Sequence, residues 1–177
     1  MFHRYLSMIY DVPPVLWFAL MAVVVLVWIS LADRFQTRTW WIPLNRVLVV
    51  LSMAAIVWIT ILVRARQNTD VFWDPLYAWK LTKRYPDAYR QMMLNVVLFF
   101  PLGLTIPFAF PYRKIALWTV IFAISYSAGI EYLQFALSRG YFELGDIFLN
   151  SFGTLIGLST YLIWRRMKNI SQKKDSR

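Results

Sequence analysis

Five apolar runs, each close to the length of a bilayer crossing and each bounded by charge, leave this chain few folds. Residues 15–32 follow Pro13-Pro14 and end at Asp33-Arg34, and residues 44–63 are closed by Arg64 and Arg66. Residues 94–110 form a shorter run interrupted by Pro101, Gly103 and Pro107; residues 115–137 and 147–164 complete the set, the last followed by Arg165-Arg166. A hydrocarbon layer of roughly 30 Å asks for about 20 residues at a helical rise of 1.5 Å each. Unpaired backbone groups cannot be left in lipid, so only helices or a closed barrel can span it. Barrel strands would alternate over about 10 residues, which these runs do not. The expected fold is all-α: a multi-pass transmembrane bundle of about five spans, with residues 1–177 as a single integral membrane domain.

Composition agrees. The 177 residues are 59% hydrophobic, too apolar for a soluble domain of this size. A formal net charge of +10 raises nucleic-acid binding as an alternative. The basic residues, however, cluster in the gaps between apolar runs, as juxtamembrane residues do, and no nucleic-acid partner is expected. Tryptophans and tyrosines crowd the run ends, where Trp17, Trp40, Trp41, Trp118 and Trp164 fit interfacial belts. With no cysteine, disulfides and thiolate chemistry are excluded. The single histidine, His3, lies outside every apolar run, which removes an intramembrane Ser-His triad or HExxH zinc site. Neither a metal nor a cofactor is called for. The first run, with Arg4 before it and Ser30 and Ala32 at its end, loosely resembles a cleaved signal peptide. Its length, and the bulk of Trp28 and Ile29 near the cleavage position, favour a retained span.

With five crossings, the chain reverses at each one. On the face carrying the N-terminus (side A) fall Arg4, Arg139 and the basic residues of 64–91, eight in all, against eleven on side B, which includes the basic tail 165–177. The bias toward cytoplasmic lysine and arginine puts the C-terminus in the cytoplasm and the N-terminus outside.

Threading also gathers polar residues. Asn95 opens the third run, Glu131 and Gln134 lie near the end of the fourth, and Asp146 and Asn150 open the fifth, so all face side A. Glu131 and Gln134 share a helix face. Glu131 is six residues inward from Leu137, roughly 9 Å below that end, where a carboxylate demands a partner or water. Asp146, Asn150, Gly153 and Gly157 form one stripe on the fifth helix, polar and then smooth enough for a neighbouring helix. Asp146 at a helix start also gains from the positive end of the macrodipole. Arg139 is the nearest basic candidate to pair with Glu131, Glu143 or Asp146. Structural readings stand beside these: Asp146 as an N-cap, Asn150 as an interhelical bond, the glycines as a packing seam or a dimer contact. Pro101 and Gly103 either kink the third helix or free a carbonyl.

The connecting segment 64–91 mixes aromatics with charge and is too short and polar to span. Asp74-Pro75 marks a turn, and the stretch after it reads as an amphipathic interfacial helix with Leu76, Tyr77 and Trp79 toward lipid. It serves either as a plain connection or as a lid over the polar cluster.

Three motifs resemble the VanZ-like family: Asn95-Val-Val-Leu-Phe-Phe-Pro101-Leu-Gly103; Ser127-Ala-Gly-Ile-Glu131-Tyr-Leu-Gln134; and Arg139 with Asp146-Ile-Phe-Leu-Asn150-Ser-Phe-Gly153-Thr-Leu-Ile-Gly157. They stand in family order and spacing, and the resemblance covers about residues 71–165. Glu143 takes the place of a common acid three before the Asp146 position. Many members carry Asn-Leu-x-Pro-Phe before the third span; here Phe72-Trp73-Asp74-Pro75-Leu76 keeps only the proline, so Asp74 becomes the alternative contact. The resemblance implies an association with low-level resistance to teicoplanin, a glycopeptide acting on cell-wall precursors. It implies no established biochemical activity.

Two functions follow as expectations. One is a non-enzymatic protein binding a membrane lipid or lipid-linked cell-wall precursor through Asn95, Glu131, Gln134, Arg139, Asp146 and Asn150. The other is an intramembrane enzyme acting on a lipid headgroup or precursor, with Glu131 and Asp146 as acid and base. A transporter is disfavoured by the absence of an internal repeat. Oligomeric state is open.

Overall fold

The structure, a computed structural model, describes residues 13–83 and 85–175. Arg4, Arg84 and Arg177 of the charge argument, and the single histidine His3, lie outside the described residues. Helix α1 (Pro14–Phe35) begins with proline in its first turn, where a missing N–H costs nothing. Helix α2 (Trp41–Val57) continues into a π-helical turn at Trp58–Leu62. A short strand β1 (Val71–Phe72) and helix α3 (Tyr77–Thr82) lead to α4 (Pro86–Ala109) and α5 (Ile115–Ala136). Strand β2 (Phe142–Glu143) then opens directly into α6 (Leu144–Asp175). Five helical segments are long and apolar enough to cross a membrane: Val15–Phe35, Trp41–Leu62, Ala88–Ala109, Ile115–Ala136 and Leu144–Lys174.

Two spans differ in extent from the hydropathy reading. The third helix begins at Pro86 rather than near 94, and it is the central one, packed mainly on α6 and then on α2 and α5. Its first turns carry Tyr89, Arg90 and Gln91, which keep them out of an apolar run without preventing a helix. The fifth helix continues past Trp164 to Asp175, because residues such as Arg165, Arg166 and Lys168 end an apolar run without ending a helix.

Helices α4 and α6 both start at side A and run parallel. Glycines bring their backbones into contact. A Cβ on Gly153 would strike the Val96 carbonyl, one on Gly157 the Phe100 carbonyl, and one on Gly103 the Thr154 carbonyl. The glycine stripe is therefore used within the chain, against the third span, and Gly103 answers it from α4. Helix α4 continues through Pro101 and Pro107, and the Thr105 hydroxyl donates to the Pro101 carbonyl at 2.7 Å.

Candidate functional site

The side A end of α5 closes in a Schellman motif. The N–H of Ser138 donates to Phe135 O at 3.1 Å and that of Arg139 to Gln134 O at 2.8 Å. Ser138 takes the left-handed position usually held by glycine, with φ 53°. The chain turns back sharply enough for β2 to lie over the helix it has just left. The main-chain N–H of Glu143 then donates to Glu131 Oε2 at 3.1 Å.

Glu131, Gln134, Asp146, Asn150 and Asn95 are all buried, and they converge as threading required. Asn150 Nδ2 donates to Ser127 Oγ at 2.9 Å, and Gln134 Nε2 to the Thr60 carbonyl at 3.1 Å. The Asn95 carboxamide lies beside the Asp146 carboxylate. Its Nδ2 nevertheless has no partner at full hydrogen-bond distance, so the contact is electrostatic. Asn95 Nδ2, Gln134 Oε1 and Asn150 Oδ1 are buried with their bonding capacity unused. Natural interiors leave few such groups.

Arg139 does not pair with the acids. Its guanidinium donates to the Arg64 carbonyl. Arg64 is the cation of the site instead, close enough to act on Glu131, Glu143 and Asp146 alike. The cause is the π turn: Val63 N–H reaches back five residues to Trp58 O at 3.0 Å, and the widened end of α2 delivers the following residues across the end of α5. Arg64 also packs beside Gly140, where an added Cβ would come within 3.1 Å of its guanidinium.

The segment 64–91 is fastened over this cluster. Strands β1 and β2 pair in parallel, Val71 with Phe142 and Phe72 with Glu143. Gln67 N–H donates to Ser138 O at 2.9 Å, and Phe142 N–H to Asp70 O at 3.0 Å. Pro75 O sits against Gly145 at the start of α6, leaving no room for a Cβ there. Asp74 makes the expected turn, accepting from Leu76 N–H at 3.0 Å and pairing with Lys80 at 2.5 Å. The Lys80 ammonium holds the Asp74 carboxyl below its ordinary range. Leu76 and Trp79 are exposed, as an interfacial helix requires, but Tyr77 turns inward and stacks on Phe72 at 4.0 Å.

Beneath this segment lies a cavity of about 370 Å³ lined by Arg64, Gln67, Tyr77, Gln91, Tyr141 and Glu143. Burial and then the nearby Asp146 charge push the Glu143 carboxyl up to about 7, against the pull of Arg64. Glu131 and Asp146 lie behind Glu143 and do not line the cavity. Among the described residues, no group of three His, Cys, Asp or Glu side chains is arranged to hold a metal ion.

Sequence reasoning overlooked Ser127, Arg64, Gln67, Gln91 and Tyr141 as site residues. Ser127 is four residues before Glu131 and shares its helix face, a signal that was available. Arg64 was readable only as the end of a span on side A.

These features define a multi-pass helical membrane protein with a buried polar site at one end of the bundle. The chain belongs to the VanZ/LLP1 family, whose model matches residues 16–165. It is 27% identical over 136 residues to Protein VanZ of Enterococcus faecium, covering 76% of this chain and 82% of that protein. No solved structure matches it.

Proposed function

We propose that the protein binds an anionic, lipid-linked ligand of the cell-wall-precursor type at the side A cavity, and that side A faces outward with the C-terminus in the cytoplasm. Arg64 holds the anionic group, and Gln67, Gln91, Tyr77 and Tyr141 supply hydrogen bonds. Glu131, Asp146, Asn95, Gln134 and Asn150 form the supporting layer, and Arg139 steadies the Arg64 backbone. Sequestering or shielding such a ligand lowers teicoplanin action at the cell surface. The observation that carries this reading is the Arg64 guanidinium lining a cavity beneath the 64–91 segment, beside a cluster whose three amides retain unused bonding capacity.

A glycopeptide susceptibility assay with lipid analysis on a deletion strain tests it. Complementation with the native gene restores teicoplanin tolerance while an equally expressed Arg64→Gln variant does not, and lipid composition stays unchanged throughout. Full complementation by Arg64→Gln removes the binding site proposed here. The cysteine-free chain also permits single-cysteine labelling of the orientation: Trp79→Cys should react with an impermeant reagent in intact cells and Lys174→Cys should not.

One observation favours a second reading, an intramembrane enzyme. Glu143 lines the cavity and titrates near neutrality, a property suited to proton transfer. Glu131 and Asp146 then act behind it. Accumulation or loss of one specific lipid in the deletion strain distinguishes this from binding.

A further inference from the structure

At the opposite end of the bundle, side B carries a second cavity, of about 250 Å³, where the α1–α2 turn, the end of α4 and residues 161–172 of α6 meet. Its polar wall is Gln36, Trp41, Arg165, Lys168, Asn169 and Gln172. Among the described residues no carboxylate lines it. Asp33, which packs against Trp164, accepts from its indole N–H at 2.7 Å.

Two donors in this wall lack partners. Trp41 is 2% exposed, held by Trp28 at 5.3 Å and by the edge-on ring of Phe108 at 5.7 Å, and its indole Nε1–H has no acceptor. The Gln36 Nε2 is likewise buried without one. Buried donors of this kind are exceptional in folded proteins. Here they belong to residues that line one cavity together with two cations, Arg165 and Lys168; the Lys168 ammonium lies 5.5 Å from the Trp164 ring centroid. Indole and ammonium are donors only, and guanidinium is too. The wall is thus complementary to a compact anion with several acceptor oxygens.

Position narrows the chemistry. The cavity lies where α6 passes from its apolar part into its basic extension and where Trp40, Trp41 and Trp164 gather, the depth at which lipid headgroups reside. At 250 Å³ it falls below the roughly 300 Å³ at which pockets begin to enclose whole drug-sized ligands, so it suits a headgroup with its tails outside. We propose that this side B cavity binds the phosphate of an anionic phospholipid, through Arg165, Lys168 and the N–H groups of Trp41 and Gln36. The site is separate from the side A cluster and independent of its ligand.

Titrating the detergent-solubilised full-length protein with phosphatidylglycerol, phosphatidylcholine or inorganic phosphate, while following thermal unfolding, tests this. Phosphatidylglycerol should raise Tm saturably. The Arg165→Gln/Lys168→Gln double variant, altered at one exposed and one half-buried position, should keep its lipid-free Tm and require at least tenfold more lipid. Trp41→Phe, which keeps an aromatic ring at this buried position and removes the donor, should weaken the response severalfold. Equal stabilisation by inorganic phosphate at the same concentration would overturn the lipid assignment. Unchanged lipid dependence in the double variant, or no preference over phosphatidylcholine, would overturn the site.

Discussion

The main-chain N–H of Glu143 donates to the buried carboxylate of Glu131 at 3.1 Å, tying the strand that opens α6 to the inward face of α5. The bond needs an acceptor at residue 131 and does not need a charge there. Glu131→Gln keeps a carbonyl acceptor of the same reach and should fold normally. Glu131→Leu strands the Glu143 N–H and should cost about 1–3 kcal/mol. Thermal unfolding of the two variants in detergent compares them directly.

Gly153 lies directly against the Val96 carbonyl, a backbone atom that cannot rotate away. Gly153→Leu should force α4 and α6 apart at a cost above the roughly 1–3 kcal/mol of ordinary overpacking, and membrane-inserted yield should fall sharply. Gly129 is the control, because a Cβ there meets nothing within 4 Å. Gly129→Ala should be neutral or stabilise by up to about 1 kcal/mol through helix propensity.

Ser138 holds φ 53° at the Schellman turn. A left-handed conformation costs a non-glycine residue roughly 1–2 kcal/mol, partly offset in glycine by the roughly 0.5–1 kcal/mol of extra chain entropy it loses on folding. Ser138→Gly should therefore raise stability by up to about 1 kcal/mol. A lower Tm would mean that the serine hydroxyl contributes more than the strain costs.

Glu143 has its pKa raised from 4.5 to about 7 by burial and the nearby Asp146 charge. Between those values the folded protein binds more protons at this position than the unfolded chain. Its contribution to stability is full below about 4.5 and is lost as pH rises through about 7. Native protein should unfold at a higher temperature at pH 5.5 than at pH 8, and Glu143→Gln should flatten that dependence. An identical pH profile in the variant assigns the effect elsewhere.

The apolar runs and the chain reversals between them determined the class of fold and the gathering of Asn95, Glu131, Gln134, Asp146 and Asn150 at one end. Bilayer thickness and alternating direction are properties a linear pattern can carry. The glycine stripe was legible as a smooth surface, but its partner was not: contact with Val96 and Phe100 on α4 depends on which helices become neighbours. The extent of α4 and α6 escaped hydropathy because each carries polar turns that stay helical beyond its apolar run. Tertiary structure alone decided that Arg64 rather than Arg139 faces the acids, that Tyr77 turns inward, and that Val71–Phe72 pairs with Phe142–Glu143 across some seventy intervening residues. Each depends on a contact between distant segments, set by a widened helical turn or a two-residue ladder. Such contacts leave no periodic trace in the residues that make them.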